Sequence, residues 1–238
     1  MKKHLGAALS VAVLSLGLLT ACGTSSGSGG TSPSPSDGPG GASPSAVVRT
    51  PVDVDQWLAE VTAAAQGVTT AHFSITTETS AVVEVEGDMD ITDRGNPKAT
   101  VAVGMSGGYG QNDAIVIGGV VYMPNGDGTY DQLSPGAMAS YFDVSEWFDQ
   151  GAVLARQRDA IATVELVGTE DVEGVQTEHY VVTLQDGTES EYWLDDQRRV
   201  VQFSLTVPAS SDQDSPTTVD GVFTDFGKAV TIEVPPTR

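Results

Sequence analysis

Hydrophobic and polar residues follow a helical period first and a strand period afterwards. Between residues 53 and 66 apolar side chains recur along one face, and Asp53 with Gln56 resembles a capping box. One amphipathic helix is therefore expected, with Gly67 as its terminator. The period then changes to two, which predicts half-solvated antiparallel strands through residue 105. The more continuously apolar residues 115–122 predict a strand covered on both faces.

The second half of the chain predicts helices and then more strands. Residues 134–162 carry large apolar side chains at helix-compatible spacing, which indicates one or two helices. The two-residue period then returns, and Asp186-Gly187 is a strong hairpin signal. The strands expected here are residues 163–169, 176–184, 188–194, 199–207 and 217–224. Strands joined by short turns favour an antiparallel sheet with the helices on one face, so the predicted class is α+β.

The N-terminus has the three-part layout of a bacterial export signal that ends in a lipidation site. Two lysines precede the apolar residues 5–19, a run too short for a typical membrane span. Cys22 is the only cysteine, and it follows Leu-Thr-Ala as in a lipobox, where the sulfur is diacylated and cleavage makes the cysteine the new N-terminus. We expect residues 1–21 to be removed and lipid on Cys22 to anchor the protein to the outer face of the cell membrane.

The residues after the cysteine predict a flexible tether and then one folded domain. Residues 23–46 are Gly, Ser, Thr and Pro apart from two alanines and Asp37, so they cannot bury enough apolar surface to fold. As a flexible coil such a segment reaches roughly 27 Å. We assign residues 22–49 to the lipidated cysteine and tether, and residues 50–238 to a single domain.

The net negative charge of the chain limits which classes of binding partner are expected. Without the signal peptide the chain has nine basic and 32 acidic residues, a formal charge of −23. Such a charge repels phosphates and anionic headgroups, so no nucleic-acid partner is expected and attachment to the membrane must come from the lipid anchor. We expect a monomer.

Two stretches resemble the LppX/LprAFG lipoproteins of actinobacteria. One is YWLD at residues 192–195, preceded by residues 168–180. The other is FTDFG at residues 223–227, which runs on to Pro235 like the family's closing strand, although Ala229 stands where a proline is common. The order of lipobox, tether, helix, strands, central helices and strands is also similar to that family.

The resemblance implies a strongly curved antiparallel sheet that wraps around helices as a half-barrel, similar to LolA carriers. It also implies an apolar interior that holds acyl chains of envelope lipids or lipoglycans, with no cofactor. Small residues such as Thr77, Gly87 and Ala99 would leave the interior open, and central aromatic residues including Tyr141 would form its mouth. The expected ligand-binding residues are Phe73, Ile75, Val101, Val103, Met105, Ile117, Phe142, Trp147 and Phe148. The same spacing is also typical of an ordinary filled core.

Two other functions remain as alternatives. A ligand-free sensor or interaction module of RseB-like fold would have a filled core and use its outer surface. An esterase would use G-x-S-x-G at residues 104–108, with Ser106 as nucleophile and His179 as base. That motif needs a helix directly after the serine, whereas a β-rich stretch follows, so we expect a glycine-rich bend and no enzyme.

A metal site is not expected. Residues 125–136 begin like a calcium-binding loop, but Tyr130 and Gly136 replace the required glycine and glutamate, which favours an acidic hairpin turn. His72 and His179 lie on predicted strands without a nearby histidine or cysteine, and we assign them no chemistry.

The anchoring hypothesis makes a direct prediction for Cys22→Ser. The variant should still be exported but should remain an unacylated precursor, because serine offers no thiol for diacylglycerol transfer. Intact-mass spectrometry and partitioning into detergent would measure the change. Acyl mass and partitioning equal to those of the wild type would contradict lipidation at this cysteine.

Overall fold

The structure is a computed structural model that describes residues 48–78, 82–105, 109–133, 150–207 and 217–238. Residues 46–238 form one compact unit. Cys22, most of the tether, Ser106 and the expected central aromatic residues Phe142, Trp147 and Phe148 lie outside the described residues. No helix in the described ranges has the length and apolar character needed to cross a membrane.

Twelve strands and two α-helices make up the described domain. In chain order the elements are β1 (Thr50–Pro51), α1 (Val54–Gly67), β2 (Thr70–Glu78), β3 (Val82–Asp90), β4 (Lys98–Met105), β5 (Tyr109–Ile117), β6 (Val120–Pro124), β7 (Tyr130–Leu133), α2 (Gln150–Arg156), a 3₁₀ turn (Arg158–Ala160), β8 (Ile161–Val172), β9 (Val175–Leu184), β10 (Glu189–Leu194), β11 (Val200–Val207) and β12 (Thr217–Thr224).

All twelve strands belong to one curved, open sheet with antiparallel neighbours. Their order is β1-β8-β9-β10-β11-β12-β2-β3-β4-β5-β6-β7. Pairing of β12 with β2, with Phe223 opposite Phe73, joins the strands of the second half of the chain to those of the first. The expected α+β class, with an antiparallel sheet and helices on one face, is confirmed.

Side chains alternate between two faces of the sheet, which we call the inner and the outer face. Along β2, Phe73 and Ile75 are fully buried on the inner face, whereas Ser74 is exposed on the outer face. The inner face packs against buried residues of both helices, including Leu58 of α1 and Leu154 of α2. The main core therefore lies between the sheet and the helices.

Helix α1 forms where the helical period predicts it. Its N-cap is Asp53, whose carboxylate accepts a hydrogen bond from the backbone N–H of Gln56 at 2.8 Å. The Gln56 side chain donates to Glu60 rather than returning to the cap, so only half of the capping box forms. Gly67 is the last residue of the helix, as expected, and the chain leaves in an extended conformation at Val68.

The apolar run at residues 115–122 is not one strand. It contains the end of β5, a turn and the start of β6, because Gly118 and Gly119 adopt φ values of 58° and 80° that favour glycine. The expected cover on both faces is nevertheless present. Val116 belongs to the inner core, and Ile117 packs with Ile232 on the outer face.

Strand β12 has the expected bounds, Thr217–Thr224, but it does not continue to Pro235 as the likeness to the family's closing strand implies. Strand β12 ends at Thr224, and Asp225 and Gly227 then adopt left-handed conformations in a tight turn. The remaining residues run without regular structure against the outer face. Their end protects the edge strand β7, because the backbone N–H of Tyr130 donates to the carbonyl of Pro236 at 2.9 Å.

Turn signals and the central helical stretch agree with the structure where it describes them. Asp186-Gly187 lies in the β9–β10 turn, and Gly187 has a φ of 87°. Residues 125–129 form the β6–β7 turn, in which the Asp127 carboxylate accepts from the backbone N–H of Thr129 at 2.9 Å. Helix α2 lies within the predicted helical stretch, of which residues 134–149 are outside the described part.

Gly87 on β3 lies at a close approach between two neighbouring strands. A Cβ atom there would lie 1.8 Å from the carbonyl oxygen of Thr100 on β4 and 3.2 Å from the Phe73 ring. The next residue, Asp88, donates its backbone N–H to the Thr100 side chain. Gly87 therefore permits close strand packing, and the space beside it is occupied rather than open.

This packing predicts that Gly87→Ala destabilises the fold. We expect a loss of about 1 to 3 kcal/mol, because the added methyl group would meet a backbone atom that cannot move alone. Urea denaturation would measure it, with Gly67→Ala as the control, since nothing lies within 4 Å of a Cβ at Gly67. Equal stability of the two variants would contradict the close approach.

Candidate functional site

Three of the expected lipid-contacting residues lie together on the inner face. Phe73 and Ile75 of β2 are fully buried, and Val101 of β4 is 2% exposed. They share one apolar cluster with Trp57 and Val61 of α1. Val103 is only partly buried and packs at the border of the same cluster. The inner face therefore gathers the apolar positions that the sequence singles out on β2 and β4.

Ile117 does not belong to this group. Strand register places it opposite Lys98, whereas Val101 lies opposite Ala114. Because successive side chains point to opposite faces, Ile117 lies on the outer face, where it packs with Tyr122 and Ile232. Met105 ends β4, and its side chain is not described.

The core beneath the helices is closely packed. A pocket of about 30 Å³ lies where the end of α1 and the start of α2 meet β3 and β12. Its lining includes Ala65, Met89 and Phe223. This volume holds about two water molecules and is roughly a tenth of the smallest typical ligand pocket. An acyl chain therefore does not fit in this pocket as it stands.

Partly buried apolar side chains surround the inner core on the strands farther from α1. We call this set the apolar rim, and on strands β3, β4, β6 and β7 it consists of Val83, Val103, Met123 and Leu133. Each packs against the buried cluster and keeps part of its surface accessible. Covering such surface with another apolar group lowers the free energy of the system. The apolar rim is therefore accessible apolar surface on the inner face.

The wall beneath α1 is aromatic and contains a buried donor. Trp57 packs against Tyr180 and Tyr192, with ring centroids 5.8 and 6.0 Å apart. The indole N–H of Trp57 is buried, and no acceptor among the described residues lies within hydrogen-bonding distance. Burial raises the pKa of the Tyr192 hydroxyl, which therefore stays protonated and polar inside the core.

A polar network joins α1 to the sheet at the edge of this aromatic wall. Arg198, which adopts a left-handed φ of 64°, contacts Glu60 of α1 at 3.1 Å and also pairs with Glu178 of β9. The hydroxyl of Tyr180 donates to Glu178 at 2.6 Å and accepts from Arg198 at 2.8 Å. Hydrogen bonds from Tyr180 and then Arg198 lower the pKa of Glu178, although partial burial opposes them. Burial, helped by Glu178, raises the pKa of Tyr180 to about 12.

The outer face carries a histidine cluster that sequence reasoning missed. His179 lies with one ring nitrogen 3.0 Å from Glu170 and the other 2.9 Å from Glu191. Its ring stacks on Trp193 at 4.3 Å, and the indole N–H of Trp193 donates to Glu170. These groups come from β8, β9 and β10, so strand register alone brings them together. Each ring nitrogen contacts a carboxylate, and these contacts link three neighbouring strands on the outer face.

The hydrolase alternative lacks its structural context. Gly104 and Met105 end β4, and the next described residues, from Tyr109, form the antiparallel strand β5 rather than a helix. The described sheet contains no parallel strand pair of the kind that α/β-hydrolases need. Within the described residues, no group of three or more His, Cys, Asp or Glu side chains is arranged to hold a metal ion.

Comparison with known proteins identifies the family. A family model described as LppX_LprAFG lipoprotein matches residues 53–232. The chain belongs to the LppX/LprAFG lipoprotein family. The resemblance inferred from the sequence is therefore confirmed, and membership makes this chain an envelope lipoprotein.

Two solved structures of LppX/LprAFG lipoproteins have the same fold. LprF from Mycobacterium bovis aligns with 79% of this chain and 99% of its own, at 18% identity and a TM-score of 0.59. Lipoprotein LppX from Mycobacterium tuberculosis aligns with 75% of this chain and 99% of its own, at 14% identity and a TM-score of 0.51. Comparison with curated protein sequences gives no match. At these identities the likeness establishes the fold alone.

The YWLD stretch that resembles the LppX/LprAFG family is structural. Tyr192 and Leu194 are buried in the inner core, and Trp193 packs on the outer face. Asp195 is 4% exposed, and its carboxylate accepts from the backbone and the guanidinium of Arg199. The motif thus fixes both faces of β10 and the turn that follows it.

The polar network predicts a pH dependence for Glu178→Gln. The folded-state pKa of Glu178 lies below its ordinary value of 4.5, so its ionised form stabilises the fold above that pH, and the contribution is lost as the pH falls through the lower folded-state pKa. At pH 7 the free energy of unfolding of the wild type should exceed that of the variant by less than about 1 kcal/mol. This difference should shrink below pH 4.5.

Urea denaturation at a series of pH values would measure this difference. Glu84→Gln is the matched control, because Glu84 is exposed on the outer face of β3, and it should change stability little at any pH. A Glu178→Gln difference that stays constant from neutral to acidic pH would contradict the role of its charge.

Proposed function

We propose that this lipoprotein binds or carries the acyl chains of envelope lipids or lipoglycans along the inner face of its sheet. The observation that carries the proposal is the apolar rim, whose side chains pack against the buried core and keep part of their surface accessible. Covering such surface favours binding by about 0.8 kcal/mol per buried methylene. The family implies the same class of ligand.

The proposed contacts are those of the inner face. Phe73, Ile75 and Val101 would form the base of the ligand site, and Val103 with the rest of the apolar rim would contact the chain directly. Met105, Phe142, Trp147 and Phe148 remain proposed contacts. Ile117 is left out, because it packs on the outer face.

The proposed function also includes attachment to the membrane and a monomeric state. Diacylated Cys22 would hold the protein at the outer face of the cell membrane, and residues 23–49 would let the domain stand away from the lipid surface. The protein would act as a monomer. No catalytic step is proposed, because neither the β4–β5 connection nor His179 has the setting that acyl-transfer chemistry needs.

The proposal predicts that Val103→Trp reduces lipid binding. Val103 lies on the apolar rim opposite Val85, so an indole there would occupy the space proposed for an acyl chain. Protein made without the signal peptide and Cys22 should carry lipid that mass spectrometry detects, and the variant should carry several-fold less with a nearly unchanged melting temperature. Glu84→Trp is the control, because it adds the same bulk to the outer face of the neighbouring strand.

The same experiment separates the carrier from a ligand-free interaction module. In a filled core Val103→Trp would overpack the site and cost about 1 to 3 kcal/mol. Marked destabilisation, together with a wild type that holds no lipid and binds no apolar probe from any envelope extract, would overturn the carrier and support the RseB-like alternative.

A further inference from the structure

Within the described residues, half of the outer edge of strand β8 has no paired strand. This strand runs from Ile161 to Val172, but β1 pairs only with Leu166 and Glu165, and Val52 adds one backbone hydrogen bond to Val164. No other described residue pairs with that side of β8, so residues 167–172 present an edge of six residues, about 20 Å long. At the opposite end of the sheet the edge strand β7 is partly covered, because the C-terminal residues form a backbone hydrogen bond with it.

A polar cleft adjoins the free edge on the inner side of the sheet. It has a volume of about 270 Å³ and is lined by residues at the ends of β8, β9 and β10, among them Thr169, Glu178 and Asp196. Its one cationic residue, Arg198, already contacts Glu60 and Glu178. The cleft therefore offers carboxylates without a free cation of its own.

The middle of this edge is exposed and carries two acidic residues. Glu170 and Asp171 are exposed on β8, and Thr169 beside them borders the cleft. Exposed edge strands normally invite pairing with another chain, and charged side chains restrict which chain can pair. A second copy of this protein would bring its own carboxylates against these residues, and an anionic lipid surface would be repelled in the same way.

We propose that residues 167–172 of β8, together with the adjoining cleft, dock an extended lysine- or arginine-containing segment of a partner protein as an added strand. Main-chain hydrogen bonds to the free edge supply the attraction, and a cationic side chain of the partner enters the cleft towards Asp196. The formal charge of −23 on the mature chain speeds encounter with such a segment. This inference does not depend on lipid binding, because the apolar rim lies on strands of the other half of the sheet.

Hydrogen exchange with a defined peptide tests the proposal. The probe is an acetylated, amidated decapeptide of alternating lysine and threonine, added to the mature chain made without the Cys22 lipid. We expect it to slow amide exchange in residues 167–172 at least threefold. The same peptide with glutamate for lysine should give no protection, and neither should a lysine peptide N-methylated at alternate residues, which cannot pair through its main chain.

Matched charge reversals locate the cationic contact. Asp196→Lys should weaken binding of the lysine peptide about fivefold, because an attractive partner becomes a repulsive one at an exposed site. Glu84→Lys makes the same change in net charge on the outer face of β3 and should leave the affinity unchanged.

Several results would overturn the proposal. These are absence of protection at β8 at millimolar lysine peptide, equal protection by the glutamate or N-methylated peptide, and equal weakening by the two charge reversals. Protection that rises with protein concentration and needs no peptide would assign the edge to a second copy. Protection that disappears when residues 23–45 are deleted would assign it to this chain's own tether.

Discussion

The pairing of β12 with β2 is the constraint on which the rest of the structure depends. These strands lie at opposite ends of the described domain sequence, yet their register of seven residue pairs unites two groups of strands in one sheet. Gly221 is part of this junction, because a Cβ there would lie 2.3 Å from the Phe203 ring. The glycine lets an aromatic ring lie flat against the sheet, so that the core continues from β11 across the junction to Phe73.

Periodicity predicted the elements of this fold, because burial on one face of a strand or helix imposes it on the sequence. Periodicity did not reveal a turn whose flanking residues are buried by a segment distant in the sequence. The turn at Gly118-Gly119 was hidden because Ile117 and Val120 on either side are covered by residues of the C-terminal segment, which keeps the flanking positions apolar. A turn exposed to solvent, such as the one after Asp186, carries polar residues and was predicted correctly.

The faces of the candidate site were harder to predict than its elements. A shift of one residue in register exchanges the two faces of a strand, so apolar residues on β4 and β5 cannot be assigned to the same side from sequence alone. Val101 lies on the inner face and Ile117 on the outer face, and the β4–β5 hairpin register sets this difference. The cluster around His179 shows the same limit, since its partners are 9 and 12 residues away and meet only through pairing of three strands.

The inner face is more closely packed beneath the helices than at the apolar rim, and this affects where a ligand could bind. Beneath the helices, a Cβ at Gly151 of α2 would lie 2.6 Å from Ala65 of α1, and the adjoining pocket holds about 30 Å³. A ligand under α1 would have to break that helix contact and the link from Arg198 to Glu60. Among the described residues no such contact covers the apolar rim, because its side chains keep accessible surface. We therefore expect that an acyl chain on the β3–β7 side would need less rearrangement of the described residues than one beneath α1.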